Sequence, residues 1–160
     1  FKNMIAQIGE NLILNDLLVF NNTDSHISHY IHNSYKKNIG KIISIIIYKS
    51  NEVDDKIKLL SKNLCMHVAA MKPLSLDVND LDKSIIENEK KIQRELIINS
   101  GKPSNIVDKI LEGKMSKYYS EVTLLNQKYV LDPEKNIKQI INEYSNKYNF
   151  SIETFNIITL

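Results

Sequence analysis

Three of the four histidines in this chain fall in one short stretch, HISHYIHNS at positions 26–34. Imidazole ligates metals, moves protons near neutral pH and offers a polar handle at an interface, so three kinds of chemistry are open. A metal needs ligands that converge on one point. On a strand, alternate side chains leave by opposite faces. His26 and His32 would then share a face but lie about 20 Å apart at roughly 3.3 Å per residue, with His29 pointing the other way. A helix would bring His26 and His29 together, but a β-branched segment set between two polar turns favours the strand. No metal is expected.

Other catalytic patterns fare no better. Cys65 and His67 stand at i and i+2, positions that do not face each other on a helix, and a lone cysteine reads as a small core residue. The four glycines, Gly9, Gly40, Gly101 and Gly113, are isolated, so nothing resembles a phosphate loop. Asp54 and Asp55 fall at a helix start, where carboxylates favour the macrodipole. These residues point to no catalytic group and no cofactor, and the expectation is a protein that is not an enzyme.

The elements that must position these residues follow from the patterning. At 160 residues and 42% hydrophobic, the chain can bury one core, as one domain or two small subdomains. A formal charge of +2 with interleaved acids and bases gives no basic patch of the kind nucleic-acid binding requires. The apolar run IISIIIY at 42–48 is too short to span a bilayer and reads as a buried strand. Neither direct nucleic-acid contact nor a membrane is expected. A single cysteine fits a reducing compartment. The chain begins at Phe1 without a methionine, so an excised piece is expected, and any targeting segment would have gone with the start. Abundant Ile, Lys and Asn with one arginine, Arg94, is the mark of an AT-rich genome. Such genomes occur in some bacteria and in organelles of bacterial descent, so a bacterial cytoplasm, a mitochondrion or a plastid would suit the chain.

Residues 11–20, 26–32 and 39–48 are rich in β-branched and large apolar types, with polar turns at 21–25 and 33–38, and predict an antiparallel meander. From Asn51 the period changes: Val53, Ile57, Leu60, Leu64 and Val68 form a helical stripe that Pro73 closes. Ile85, Ile92 and Leu96 mark a further helix. SGKP at 100–103 then supplies a glycine stop and a proline start, and Ile106, Ile110 and Met115 continue on the return helix. This hairpin is charged around its outside, as a projecting arm would be. A short helix over 136–147 and a strand near 150–158 complete the chain. The expected fold class is α+β: a three-stranded antiparallel meander plus a C-terminal strand packed on helices, with a protruding antiparallel helical hairpin.

A set of short stretches in fixed order carries a family resemblance. IGEN at 8–11, Tyr30-x-His32, CMHVAAMKP at 65–73, SGKP at 100–103, LEGKM at 111–115 and QKYVLDP at 127–133 together resemble the C-terminal half of bacterial and organellar elongation factor Ts. The resemblance runs over residues 1 to about 158. Each motif alone is weak; the ordered set is specific. It implies a guanine-nucleotide exchange factor for elongation factor Tu, the GTPase that carries aminoacyl-tRNA to the ribosome. Such a factor makes no bond. It binds the nucleotide-free GTPase more tightly than the GDP form, and by linkage GDP binds the complex more weakly.

The resemblance further implies a core over 1–80 and 119–160, of dimerisation type, with the hairpin inserted at 81–118. It assigns partner contacts to Ile8 and Gly9, for the GTP-binding domain of the partner, and to His32, Val130 and Leu131, for a second domain. Other readings stand beside these. Ile8-Gly9 can simply end a helix, and Val130 and Leu131 can be ordinary core. His67, among Val68, Ala69 and Ala70, reads as structural and hydrogen-bonded inside the fold.

There are departures. Ser28-His29 replaces the usual Gly-Ser before the tyrosine, and Asn33 stands where a glycine is expected, although asparagine tolerates left-handed angles. The loop over 33–38 is longer than usual. The segment that disturbs the magnesium site in family members, an Asp-Phe pair, precedes IGEN and is absent from this chain, as is the N-terminal helical domain. The chain alone is therefore expected to bind the partner yet release GDP slowly. Two alternatives remain. One is self-association, giving a homodimer, which exposed apolar residues along one side of helix 83–99 would favour. The other is an enzyme, which would need a pocket of convergent titratable groups.

Overall fold

The computed structural model describes residues 2–20 and 24–159. The fold is α+β, with a three-stranded antiparallel sheet packed on helices. Strands β1 (His26–Lys36), β2 (Ile39–Lys49) and β5 (Ser151–Thr159) lie in the order β1-β2-β5. The isoleucine run thus sits in the central strand, as its hydrophobicity demands. Between β2 and β5 the chain forms α2 (Asp55–Met71), the paired helices α3 (Lys83–Asn99) and α4 (Ser104–Val122), a small ribbon of β3 (Lys128–Tyr129) and β4 (Asp132–Asn136), and α5 (Ile137–Tyr148). A short helix α1 (Lys2–Ile8) precedes the sheet and buries none of its residues.

Helix α2 starts where an aspartate can cap it. The Asp54 carboxylate accepts from the backbone N–H of Lys56 and Ile57, both at 3.0 Å, which satisfies donors that the first turn leaves unpaired. Those bonds, and the Tyr148 hydroxyl that donates to it at 2.8 Å, hold this carboxyl below the usual carboxylate range. The helix ends at Lys72, which takes a left-handed conformation directly before Pro73. One face of α2, through Ile57, Leu60, Leu64, Cys65 and Val68, packs with Ile46, Tyr48, Phe150, Ile137 and Ile140 into one core. Full burial of each Ile, Leu, Val or Phe side chain among them contributes about 1.5–3 kcal/mol. The stripe expected from the sequence is this face, apart from Val53, which precedes the helix and is half-buried.

Helices α3 and α4 form the expected hairpin. Ser100 ends α3 and Gly101 turns at φ +73°, a region that costs glycine little; Pro103 then stands just before α4. Only Ile97, Val107 and Met115 are buried in the two helices, so the pair rests mainly on itself. Its base is tied to the body by backbone bonds from Leu74 to Val122 (2.8 Å) and from Leu124 to Ser75 (2.9 Å).

Two sequence expectations need correction. Residues 11–20 form no strand; Ile13, Leu14, Leu17 and Val19 are exposed. The segment is leucine-rich rather than β-branched, and Asn15-Asp16 interrupts it, so it has little intrinsic preference to pair with an edge strand. The meander is completed instead by β5, which pairs with β2 from Ile42↔Thr159 to Lys49↔Ser151. The turn expected at 21–25 falls partly outside the described residues. The second correction is at 33–38. Strand β1 continues through Asn33 (φ +52°) to Lys36, and the turn shrinks to Lys37 and Asn38 (φ +65°). A bulge between Ser34 and Lys36 absorbs the extra residue. Gly40 closes the arrangement, since a Cβ there would meet the Ile31 side chain and come 2.8 Å from the His32 carbonyl oxygen.

Candidate functional site

The sheet and α2 bring together what lies far apart in sequence. Tyr30 and His32 leave β1 by the same face, and His32 pairs with Ile42 across the ladder. With Met66, Ala69 and Ala70 of α2 and with Val130, they line an open cavity of about 400 Å³. The wall is mostly apolar, and the imidazole of His32 is exposed at it. The Tyr30 hydroxyl lies 3.2 Å from His32 Nδ1, which restricts the ring. Small residues at 69 and 70 leave the space open.

Val130 and Leu131 form the turn between β3 and β4. They are 39% and 56% exposed, which excludes core packing for both. They do not share a pocket. Leu131 faces a second groove of about 330 Å³ with Lys56, Leu59, Asn63, Tyr129 and Tyr144. Leu59, Asn63, Met66 and Ala70 recur at four- and three-residue steps, so one stripe of α2 floors both depressions. The β3–β4 turn stands between them.

That turn is held from inside by His67. The ring is fully buried. The Val130 N–H donates to Nδ1 at 3.3 Å, so the ring proton sits on Nε2, which donates to Gln127 Oε1 at 3.0 Å. Gln127 in turn donates to the Glu121 carbonyl at 2.7 Å, and its own carbonyl accepts from Ile137 N at 3.0 Å. Burial pushes the His67 pKa below its ordinary value, against the opposing effect of Gln127. The structural role expected for His67 is therefore specific: it positions the backbone of Val130. Sequence reasoning did not connect the two, because they are separated by the whole helical hairpin.

Ile8 and Gly9 are placed elsewhere. Ile8 is exposed at the end of α1. Gly9 adopts φ +75° and donates its N–H to the Ile5 carbonyl at 2.9 Å, a left-handed helix stop. A Cβ at Gly9 would meet nothing within 4 Å, so its backbone conformation, rather than space, asks for glycine here. His26 rests against Tyr48, with ring centroids 5.5 Å apart.

Among the described residues, no group of three or more His, Cys, Asp or Glu is arranged to hold a metal ion, and no helix is long and apolar enough to cross a membrane. Cys65 is fully buried, and desolvation pushes its thiol up to about 11, which leaves no thiolate for nucleophilic chemistry near neutral pH. What the geometry offers is an apolar floor, two polar aromatic side chains in hydrogen-bond contact, Tyr30 and His32, and a braced turn.

The family model described as Elongation factor TS matches residues 1–160. The chain is 36% identical over 154 residues to the elongation factor Ts of Ehrlichia canis, covering 96% of this chain and 52% of the relative. It is 38% identical over 138 residues to that of Rickettsia akari, covering 86% and 45%. With that of Caulobacter vibrioides it shares 36% over 141 residues, covering 88% and 45%. These relatives are bacterial, and the chain spans about half of their length. By its whole-length match and the ordered motifs behind it, the chain belongs to the elongation factor Ts family.

Proposed function

We propose that this chain carries part of the binding surface of a guanine-nucleotide exchange factor for elongation factor Tu, a factor that promotes GDP release through protein–protein contacts alone, and that these residues by themselves bind the partner but release GDP slowly. The observation that carries the reading is the cavity formed by Tyr30, His32, Ile42, Met66, Ala70 and Val130. Two of the residues that the family resemblance assigns to partner contact, His32 and Val130, meet there although β1 and the β3–β4 turn are remote in the chain. A mostly apolar depression with aromatic side chains, here Tyr30 and His32, is what the centre of a protein interface looks like. Leu131 on the adjoining groove would extend the contact, and Ile8 and Gly9 would reach the GTP-binding domain separately. The division into a core over 1–80 and 119–160 with a hairpin over 81–118 belongs to the same proposal. So does the place of work, a bacterial cytoplasm or an organelle of bacterial descent.

The test is a titration against elongation factor Tu from the same organism, nucleotide-free and then GDP-loaded. The expected result is tighter binding to the nucleotide-free form, by about tenfold or more. Equal affinity for both forms refutes the reading, because a ligand that does not discriminate shifts no equilibrium.

A second reading has an observation of its own. Ile85, Ile92 and Leu96 are exposed at seven- and four-residue spacing on α3, forming an apolar stripe on one side of the helix. Such a stripe suits self-association of the chain into a homodimer. Light scattering across a concentration series separates the two: a monomer at all concentrations removes the second reading.

A further inference from the structure

The net charge of +2 conceals a local excess. Between Asp24 and Glu52 the chain has no carboxylate, and it has Lys36, Lys37, Lys41 and Lys49. Lys49 is neutralised by Glu153 at 2.8 Å. The other three cluster at the far end of the β1–β2 hairpin. Lys36 pairs with Ile39 at the tip, Lys37 occupies the turn, and Lys41 directly precedes Ile42, a wall of the His32 cavity. All three are exposed, as are Tyr35 and Ile39 beside them.

Little opposes this field. Asp24 lies before the opposite end of β1, and Glu153 pairs near the opposite end of β5. Asp132 lines the neighbouring groove, not the His32 cavity, and shares Lys135 (3.8 Å) with Glu143, which holds that lysine at 2.6 Å. Lys72, two residues beyond Ala70, adds to the same sign.

The hairpin is also built to hold its shape. Ser34 Oγ reaches the carbonyls of Lys36 (2.7 Å) and Ile39 (3.2 Å), the bulge fixes the register, and Gly40 packs under Ile31 and the His32 carbonyl. A fixed arm loses less entropy on docking than a floppy loop.

We propose that this lengthened hairpin is a cationic docking arm that engages an acidic surface patch of the same protein partner, beside the group that enters the His32 cavity. The inference rests on the reading of that cavity as a partner site. Lys36 stands four residues beyond His32, about 13 Å along the strand. That exceeds the distance of about 8 Å over which charge acts at physiological salt, but Lys41, directly beside Ile42 of the cavity wall, lies within it, so arm and cavity act on one encounter. An acidic protein surface fits better than a nucleic acid. The lysines are confined to one tip with an exposed tyrosine and isoleucine among them, and they adjoin an apolar cavity rather than continuing as a track for a phosphate backbone.

The experiment measures association and dissociation rates of the full chain with nucleotide-free elongation factor Tu between 50 mM and 500 mM salt. Wild type is compared with the triple variant Lys36→Gln, Lys37→Gln, Lys41→Gln. All three positions are exposed, and an unchanged circular dichroism spectrum and melting temperature confirm the fold. Charges at an interface rim act mainly on the association rate. The triple variant is therefore expected to associate about tenfold more slowly at low salt, with the difference vanishing at high salt and dissociation nearly unchanged. Equal association rates and equal salt dependence overturn the proposal while leaving the partner reading standing. Absence of wild-type binding at every salt concentration removes that reading, and the proposal with it. Lysine-dependent binding to an RNA duplex, with no effect of the triple change on binding to the protein, overturns the proposal in favour of a nucleic-acid arm.

Discussion

His67 offers the sharpest test of how the core positions the surface. Replacing His67 by Phe keeps an aromatic ring of similar size but removes both ring nitrogens. Two partners are then left without their bonds: Gln127 Oε1, in a fully buried side chain, and the Val130 N–H, which is part-buried. An unsatisfied buried group costs about 1–3 kcal/mol. Gln127 is expected near the top of that range and Val130, whose bond is long and nearer solvent, near the bottom. The sum is about 3–4 kcal/mol. For a chain of this size that lowers the melting temperature by roughly 6–16 °C, at about 2–4 °C per kcal/mol.

A second signature separates this account from simple loss of packing. In the unfolded chain this histidine takes up a proton as pH falls through its ordinary 6.5, whereas the folded, buried ring resists protonation to lower pH. Unfolding then binds a proton, so acid favours the unfolded chain. The contribution is complete above 6.5 and declines as pH drops from there towards the lowered folded value. Urea denaturation of wild type and variant between pH 5 and pH 8 reads both effects. The wild type should lose stability below pH 6.5 with a slope that the phenylalanine variant lacks. A variant within 1 kcal/mol of wild type, with the same acid slope, would refute the reasoning. Partner binding adds a third readout, since a loosened Val130 turn should weaken docking beyond what global unfolding explains.

Other predictions are simpler. Gly40→Ala forces a methyl against Ile31 and the His32 carbonyl; it should cost about 1–3 kcal/mol in urea denaturation and displace the hairpin tip, seen as shifted amide resonances of residues 31–41. Cys65, buried and with its thiol at about 11, should react with a thiol reagent at pH 8 only at the rate of global opening. Rapid labelling of the native chain would contradict its placement. Asn136→Ala removes one side of the reciprocal cap between Asn136 and Gln139 at the start of α5, two bonds of 2.8 Å, and should lower stability by about 1 kcal/mol. No measurable change would mean that α5 is held by its buried face alone.

The amino-acid sequence determines much of this protein by local rules. The period of Ile57, Leu60, Leu64 and Val68, with Asp54 before it and Pro73 after it, is enough to define α2, because a helix's caps and buried stripe are written within one segment. SGKP does the same for the hairpin. The ordered motifs likewise carry the family. Strand pairing is different, since a strand's energy comes from its neighbour. Residues 11–20 look like a strand and are not one, while the third strand of the sheet arrives from the far end of the chain. The extent of β1 was hidden for a related reason: Asn33 and the bulge at Ser34–Lys36 continue a ladder that local polarity reads as a loop. For the candidate site, the resemblance supplies His32, Val130 and Leu131 as names. Only the tertiary structure separates Leu131 from the other two, adds Tyr30, Met66 and Ala70 to the cavity, and shows His67 holding Val130 in place. Those relations depend on which face each element turns towards a distant neighbour, and that orientation is decided by packing the whole core at once.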